Sequence, residues 1–574
     1  MTAVVTSCDD KLDVTNPNYP TTYDFGYSES DLDEAVIAAY NRLNLDGSYA
    51  RVGYTLNSTR GEEVWNTTQV WYLPYDNFNV GATDEIGMWV YREFYQLISI
   101  CNFIIDRAPE ASLSDDAYNE IVGQALFLRG LGYYELAIYF QTVPLVLTYS
   151  SALTDLYCES ATQSEILAQC IEDFTNAKDM LPSRDEGGEW AEGRATCGSA
   201  AGYLARTYMF IHEYESALEV LEDIIAGTYG TYALVADYGD NFNEDGENNE
   251  ESLFEVQFMN NGTGGSTAVW IGYPDTDSTQ GHSIEMNYAP DCYGAWGDLG
   301  CSVWLYNLFK EETCTDKRLD PRLYWTCLSY ESEYDNYTGV STDAYPDGDP
   351  RVNEVYCATV SSTPYCDDAN GGIGISKYTY GRAGTLTTAG GSQLCGINVR
   401  LMRYSDVLLL AAEASNEING PTATAIGYIN QVRERVALAD LELSDFSGNA
   451  DKLFEQIANV ERPKELGCEN IRIVDLLRWG FFYDDDRLAQ LEEHGWWKAA
   501  NSTDGNITYT LSELTATGNQ FEYYSQGHEY LPIYQDILDS NPNCSANSAN
   551  MSSDNSEEFF ANGWTVHPVV DLSE

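Results

Sequence analysis

The strongest hydrophobic pattern in the chain runs over Asn119–Val146. Apolar residues at helical spacing fill two neighbouring stripes there, so the segment is predicted to be a helix buried on most sides. It is long enough to suggest a membrane span, but Arg129 and Glu135 lie inside it and would be costly in lipid. A buried Arg129 must be paired, because an unpaired interior charge costs several kcal/mol. Val143-Pro144 ends the helix, since proline lacks the backbone donor.

Helical periodicity recurs elsewhere, and it is predicted for Ser30 to about Leu43, Trp89 to about Ala108, Ser164–Leu181 and Glu461–Gly480. Two other segments, Ala200–Ala226 and Tyr404–Val436, each read as two helices separated by a short break. Such pairs are typical of tetratricopeptide repeats. The predicted fold class is therefore mainly α, a tetratricopeptide-like scaffold of helix pairs with a large loop-rich insertion containing short strands.

The insertion, residues 228–393, loses the helical period and gains glycine, aspartate and tyrosine. Within it, Phe254–Phe258 alternates as a half-buried strand would. Residues 46–88 also lack a helical period but are dense in aromatic side chains, which predicts a long loop that is functional or packed under another element.

The formal charge is −62, from 91 acidic and 29 basic residues. So negative a surface repels phosphate backbones, and nucleic-acid binding is therefore not expected. Calcium is the one cofactor that the carboxylates suggest. Asp343, Asp347, Gly348 and Glu354 match part of an EF-hand loop, whereas Tyr345 replaces a ligand, so the pattern supports calcium only weakly.

The N-terminal MTAVVTSC resembles the tail of a bacterial lipoprotein signal, with Cys8 as the acylated residue. Asp9 and Asp10 directly after it resemble the surface-export signal of Bacteroidetes lipoproteins. A lipid on Cys8 would anchor the chain without a span. Residues 1–30 are accordingly predicted to be a signal remnant and tether. Export would also permit disulfides, for which Cys292/Cys301 and Cys357/Cys366 are candidate short-range pairs.

Tyrosine numbers 43 residues, and aromatic residues make up 13% of the chain. Aromatic rings offer flat apolar faces that suit sugar rings and peptides alike. We expect a binding site where aromatic loops from the two halves of the chain meet, with Asn66, Arg60 and Asp291 as polar partners at its rim. The candidate ligand-binding residues are Trp65, Trp71, Tyr72, Tyr75, Trp270, Tyr273, Tyr293 and Trp296.

Charged residues in Glu461–Gly480 favour a structural role. Arg472, Asp475 and Arg478 are spaced to line one side of a helix, where they can pair with one another and with Glu465 or Glu469. A buried or half-buried ion network is the favoured interpretation of these charges, and a ligand site is the alternative.

Four motifs in order along the chain resemble the SusD/RagB family of Bacteroidetes nutrient-binding lipoproteins. They are GQALFLR at 123–129 with the following VPLV at 143–146, GRAT at 193–196, RYSDVLLL at 403–410 with INQVRER at 429–435, and the charged pattern from Glu461 to Gly480. The terminal motif of the family survives only as Leu531–Gln535 and Asn541-Pro542, so the end of the chain could pack differently.

The resemblance implies one SusD-like domain over residues 31–574, with a helical scaffold at 31–227 and 394–500 and the insertion at 228–393. It implies a surface-exposed outer-membrane lipoprotein that binds oligosaccharides or polysaccharide fragments and delivers them to a SusC-like TonB-dependent transporter. No catalysis or cofactor is implied, and we find no His-Glu-x-x-His or Gly-x-Ser-x-Gly motif in the sequence. The alternatives are the same fold binding peptides, a surface glycosidase, and a scaffold without a small ligand.

Overall fold

A computed structural model describes residues 25–66, 69–150, 157–260, 281–289, 295–328, 373–380, 394–494 and 520–573. In the first half of the chain its α-helices are α1 (Glu29–Asn41), α2 (Val52–Ser58), α3 (Leu73–Asp76), α4 (Glu85–Arg107), α5 (Asp115–Phe140), α6 (Gln163–Met180), α7 (Cys197–Phe210), α8 (Tyr214–Ile225) and α9 (Ile284–Tyr288). Those of the second half are α10 (Val303–Leu308), α11 (Pro321–Thr326), α12 (Tyr404–Asn419), α13 (Ala423–Arg435), α14 (Leu443–Phe446), α15 (Ala450–Gln456), α16 (Arg462–Leu466), α17 (Arg472–Arg478), α18 (Asp485–Glu493), α19 (Gln535–Ser540), α20 (Ser548–Met551) and α21 (Ser556–Ala561). The prediction of a mainly helical fold is confirmed.

The strands of the described residues form two-stranded antiparallel sheets. The pairs are β1 (Val64–Asn66) with β5 (Leu299–Cys301), β2 (Val143–Pro144) with β3 (Ser160–Ala161), β4 (Ser252–Val256) with β8 (Val399–Arg403), and β6 (Cys327–Leu328) with β7 (Gly374–Ile375). Strand β4 is buried along its whole length, so the prediction of a half-buried strand here was wrong. Its side chains are covered because the Phe254 ring packs edge-on against Phe127 of α5, with centroids 4.8 Å apart, and Glu255 pairs with Arg400 of β8.

Both predicted helix pairs form. The first is α7 and α8, and the second is α12 and α13, which is broken at Gly420 with a φ of 70°. Helix α7 begins at a capping box in which the side chains of Thr196 and Ser199 each bond the other's backbone. The connections between α7 and α8 and between α12 and α13 are short. Short connections make consecutive helices pack as antiparallel neighbours, which is the architecture that the hydrophobic pattern predicted.

Helix α5 is the centre of the scaffold, and most of its residues from Ile121 onward are buried. It lies close against α6, because a Cβ added at Gly130 would come within 2.8 Å of the Phe174 ring. The structure pairs Arg129 with Asp173 on α6, whose carboxylate accepts from Nε at 2.8 Å and from Nη2 at 2.7 Å. The expectation that this buried charge is paired is confirmed.

Residues 46–88 contain more helix than predicted. Asp46–Ala50 forms a turn of π-helix, α2 follows it, and α3 lies farther on. Helix α2 is buried along its length. These residues show no amphipathic period because they are covered on several sides, so a loop was the wrong interpretation for much of the segment.

Residues 461–480 are not one helix, as the charge pattern predicted. The chain forms π-helix at Ile457–Glu461, then α16, then a turn before α17. In that turn Cys468 has a φ of 64° and Asn470 a φ of 66°, both in the left-handed region that ends a helix. The break places two carboxylates beside Arg403 of β8, that of Glu465 near the end of α16 and that of Glu469 in the turn.

The predicted ion network exists, and it is buried. Arg478 donates to Asp475 and to Glu413, and Arg472 donates to Glu62 with Nε at 2.9 Å. Glu465 and Glu469, which were predicted to pair with Arg472 or Arg478, form ion pairs with other cations instead. The cations that pair with these two carboxylates are Arg322, Lys377, Arg403 and Arg435.

Cys301 carries a free buried thiol, so its candidate bridge to Cys292 is not formed. Its Sγ lies 3.3 Å from that of Cys327. Cys292, Cys357 and Cys366 lie outside the described residues, as does Cys8. Among the described helices, none combines the length and apolarity needed to cross a membrane.

Candidate functional site

The sheet formed by β1 and β5 brings the aromatic-rich segment 46–88 next to the insertion, residues 228–393. Strand β1 pairs with β5 so that Trp65 lies opposite Gly300 and Asn66 opposite Leu299. The ladder continues where the Ser302 N–H donates to the Glu63 carbonyl at 2.8 Å. Two segments far apart in sequence are therefore held side by side.

The side chain of Arg51 lies near two tryptophans, one from each of those segments. Its guanidinium carbon is 5.8 Å from the ring centroid of Trp71 and 5.6 Å from that of Trp296. Both distances are within the range of a cation–π contact. Arg51 itself is buried and donates from Nε to Asp46 at 3.1 Å. We call Arg51, Asp46, Trp71 and Trp296 the Arg51 cluster.

Each tryptophan of the Arg51 cluster is positioned by its own segment. The Trp71 ring stacks on Tyr72 with centroids 3.9 Å apart. The backbone N–H of Trp296 donates to the carbonyl of Met286 in α9 at 2.8 Å. Both tryptophans remain partly exposed, so ring surface is available to a ligand.

The turn before Trp71 is held by an amide side chain. Asn66 accepts from the Gln69 N–H at 2.9 Å and donates to the Gln69 carbonyl at 2.8 Å. Next to it, Val70 is 78% exposed and Leu73 is 45% exposed. Large apolar side chains at such exposure beside a partly exposed tryptophan form an apolar lip, which is a common feature of binding surfaces.

A buried carboxyl lies close to the Arg51 cluster. Asp298 accepts from the Asn287 amide at 2.8 Å, and burial raises the pKa of Asp298 to about 6, although Gln69, Asn287 and Arg51 each act to lower it. The site therefore combines aromatic rings with a cation, carboxyls and amides. Such a mixture suits a ligand that carries apolar faces and hydroxyl groups.

The structure corrects some of the predicted site residues. Tyr72 and Tyr75 have 0% and 1% of their surface exposed, so they belong to the core and cannot offer a ring face to a ligand. Their hydroxyls are used by Thr55 and Asp84. Arg60, predicted at the rim, is also buried, and it donates to Asn57 at 2.8 Å and to the Glu529 carbonyl.

The other predicted site residues that the structure describes are partly exposed. Trp65 is half-buried on β1, and Asn66 is partly exposed beside it. Trp71 and Trp296 are brought together in the Arg51 cluster. The remaining candidates lie outside the described residues, and they are Trp270, Tyr273, Tyr293, Asp291 and the calcium pattern from Asp343 to Glu354.

Sequence reasoning missed Arg51, Asp46 and Asp298. The only signal was an arginine and an aspartate inside an aromatic segment, which is weak because such residues are usually exposed. No group of three or more histidine, cysteine or acidic residues suited to a metal ion occurs in the described part of the chain.

Another buried carboxyl, Glu63, lies at the start of β1 and gives a pH-dependent prediction. It accepts from the Cys468 N–H at 3.1 Å, and burial raises the pKa of Glu63 to about 8, with Arg472 opposing and Glu62 adding to the shift. A raised pKa means that the folded state favours the protonated carboxyl. The wild type therefore keeps its full free energy of unfolding below about pH 4.5, where Glu63 is protonated in both states. As the pH rises towards 8, that free energy falls relative to a variant with a neutral side chain at this position.

The variant Glu63→Gln is accordingly expected to gain stability over the wild type as the pH rises from 5 to 8, by about 3 kcal/mol. Urea unfolding at several pH values measures this difference. Glu492→Gln, at an exposed position on α18, is the control and should show no such trend. A constant difference between Glu63→Gln and the wild type across that range would contradict the assignment.

Comparison with known proteins adds to this geometry. The family model described as the SusD family matches residues 250–549, and one described as "Starch-binding associating with outer membrane" matches residues 10–209. The chain is 25% identical to SusD-like protein P25 of Formosa agariphila over 509 residues, which is 82% of this chain and 86% of that protein. It is 22% identical over 492 residues to a SusD-like protein of Bacteroides ovatus, covering 82% of this chain and 79% of that protein.

Solved structures show the same fold. A SusD superfamily protein of Bacteroides vulgatus has a TM-score of 0.69 at 26% identity, covering 92% of this chain and 100% of that one. Surface glycan-binding protein A of Bacteroides thetaiotaomicron, solved in complex with laminarihexaose, has a TM-score of 0.66 at 21% identity, covering 91% and 99% of the two chains.

Proposed function

The chain belongs to the SusD family, and from that premise we propose that it binds oligosaccharides or polysaccharide fragments at the Arg51 cluster. The observation that carries this proposal is that Trp71 and Trp296, from separate segments, flank one buried arginine. A sugar ring presents an apolar C–H face to an aromatic ring and its hydroxyls to neighbouring polar groups. The laminarihexaose complex of a protein with this fold supports the ligand class.

The Arg51 cluster also favours particular glycans. The guanidinium of Arg51 is already engaged by Asp46, and Asp298 lies close by. The chain as a whole carries a formal charge of −62. An anionic polymer would meet both local carboxyls and a repulsive overall field, so the ligand is a neutral glycan.

Trp71→Ala and Trp296→Ala are each expected to weaken glycan binding about tenfold or more, because a lost aromatic contact at the centre of a site typically costs above 1 kcal/mol. Isothermal titration calorimetry of the soluble chain against a panel of neutral and acidic polysaccharides measures the effect. Trp190→Ala, a half-buried tryptophan just before α7, is the control and should leave binding unchanged.

Outcomes of this titration separate the alternatives. A polysaccharide that binds the wild type and both cluster variants equally would remove the Arg51 cluster as the site. Retention on peptide mixtures with none on polysaccharides would favour a peptide-binding protein. Hydrolysis of a polysaccharide by the purified chain, abolished by a single Asp or Glu substitution, would favour a glycosidase.

The proposal also includes a location and a partner. We place the protein on the outer face of the outer membrane, anchored through Cys8, where it delivers its ligand to a SusC-like TonB-dependent transporter. Membership of the family and the phrase "associating with outer membrane" in a matching family model support this part. Co-purification of the native chain with such a transporter from detergent-solubilised outer membrane tests it, and a chain recovered free of both membrane and transporter would contradict it.

A further inference from the structure

A second hollow lies on the scaffold between the start of α6, the α7–α8 turn and the C-terminal segment. Its volume is about 290 Å³, close to the lower limit for small-molecule sites. We call it the C-terminal cavity, and the residues that matter for its chemistry are Gln141, Gln163, Glu213, Tyr530, Glu558 and Trp564.

One wall of the C-terminal cavity comes from the end of the chain. Asn555, Glu558, Phe559, Asn562 and Trp564 line it, and all of them follow residue 549, where the match to the SusD family model ends. The match to that model therefore does not extend to this wall. The cavity exists because the end of the chain folds back over α6 and the α7–α8 turn.

The C-terminal segment is held to the scaffold just after the residues that form the cavity wall. Arg487 donates from Nε to the His567 carbonyl at 2.8 Å and from Nη2 to the Pro568 carbonyl at 2.9 Å. The His567 ring lies between Glu417 at 2.9 Å and Asp451 at 2.8 Å. A wall held at several points is pre-organised, so a ligand would lose little free energy in ordering it.

The cavity has a flat aromatic surface at a fixed angle. Trp564 stacks on His212 with ring centroids 4.4 Å apart and an interplanar angle of 17°. Phe559 meets the Trp564 ring edge-on at 5.4 Å. Trp564 is only partly buried by these contacts, so ring surface remains for a ligand.

The inner polar lining consists of amides and hydroxyls that hold one another in place. Gln141 donates to the side chain of Asn555 at 3.2 Å. Gln163 donates to the Ala137 carbonyl at 3.0 Å and to the Tyr530 hydroxyl at 3.2 Å. Oxygens of these amides can accept further hydrogen bonds, since each carbonyl oxygen has two lone pairs. Such a lining accepts hydrogen bonds from hydroxyl groups.

The charges around the cavity select against anions. Glu213 and Glu558 are exposed lining residues. Among the described lining residues the one cation is Arg478, whose guanidinium is engaged by Glu413 and Asp475. A bound anion would therefore face two carboxylates, and no described residue of the lining offers it a free cation.

We propose that the C-terminal cavity binds a single hydroxyl-rich ring of neutral or positive charge, such as a monosaccharide or an amino sugar, independently of the Arg51 cluster. One face of the ring packs on Trp564, and its hydroxyls donate to the amide oxygens of the lining. A site of this size with one aromatic wall binds weakly, with a Kd on the order of 1 mM.

The test uses the full chain carrying Trp71→Ala and Trp296→Ala, so that the Arg51 cluster is disabled. Saturation-transfer difference NMR is recorded with D-glucose, D-galactose, D-mannose and D-xylose, and with D-glucosamine and D-glucuronate as charged probes. At least one neutral sugar and glucosamine are expected to give saturable binding, and glucuronate is expected to bind at least fivefold more weakly.

Ala168→Trp, added to that background, fills the cavity from an exposed position on α6 and should weaken sugar binding at least tenfold. Asn176→Trp adds the same bulk at another exposed position of α6 and should change nothing. Trp564→Ala removes the aromatic wall without adding bulk, and it should also reduce binding, with unchanged circular dichroism showing that the fold is intact.

The absence of saturable binding for every neutral sugar, or binding that survives both Ala168→Trp and Trp564→Ala, would overturn the proposal. Glucuronate binding as tightly as glucosamine would overturn it as well, because the charge assignment would be wrong. Failure of polysaccharide binding at the Arg51 cluster leaves these measurements unaffected, since they are made with that cluster already disabled.

Discussion

Replacing Arg403 with methionine is expected to lower the free energy of unfolding by about 4 kcal/mol, because it leaves several carboxylates buried without their shared cation. Arg403 is 1% exposed. It donates from Nη1 to Glu251 at 2.5 Å and to Glu465 at 2.9 Å, and from Nε to Glu469 at 2.8 Å. Burial by itself would lower the pKa of Arg403, but these carboxylates raise it well above its usual value.

The loss is limited because neighbouring cations remain. Arg435 still pairs with Glu251 and Glu465, and Lys377 still pairs with Glu469 at 2.8 Å. The network joins β8 to α16 and to the turn after it, and Arg403 also lies opposite Ser252 of β4 in the sheet. Its removal should therefore loosen the junction between the insertion and the second helix pair, as well as lowering global stability.

Urea unfolding followed by circular dichroism measures the change. Arg107→Met is the matched control, since its guanidinium is partly exposed and lies 3.5 Å from the exposed carboxylate of Glu110. A pair of that kind contributes about 1 kcal/mol or less. Equal shifts for Arg403→Met and Arg107→Met would show that the buried network does not act as described.

Arg129→Met should cost about 3–5 kcal/mol, because the Asp173 carboxylate would lose both bonds of a bidentate pair while remaining buried. Arg129 also donates from Nη1 to Asn102 at 3.0 Å. One side chain therefore ties together α4, α5 and α6.

A double-mutant cycle separates the pair from the methionine side chain itself. The double variant Arg129→Met/Asp173→Leu removes both charges and should be more stable than Arg129→Met alone, since no uncompensated charge remains. Unfolding midpoints of the two single variants and the double variant supply the comparison. A double variant as unstable as the sum of the singles would mean that packing, and not charge, dominates at this position.

The sequence predicted well wherever the signal was local. The apolar stripes of α5, the two helix pairs and the need for a partner at Arg129 all follow from the order of residues over one or two helices. The aromatic segments of the two halves were also predicted to meet, and Trp71 and Trp296 do lie about one buried arginine. Ligand binding by these tryptophans stays a prediction.

Burial on several sides removed the local signal elsewhere. Helix α2 shows no amphipathic pattern because it is covered throughout, so the sequence pattern predicts a loop where the structure has a helix. Tyr72 and Tyr75 are predicted ligand-binding residues because they lie in an aromatic-rich segment, but they are buried in the core. Sequence composition does not tell a tyrosine that packs from one that binds.

The order of residues by itself determined which segments are helical and amphipathic and which charges had to be paired, because helical period and the cost of a buried charge are properties of a short stretch of chain. Only the tertiary structure decided the partners. The β1–β5 pairing placed Arg51 by Trp296, the break after α16 brought Glu465 and Glu469 to Arg403, and the fold-back of the C-terminal segment built a cavity wall with Trp564. Contacts of this kind join residues 62 or more positions apart, and no local pattern records which of the possible pairs the folded chain brings together.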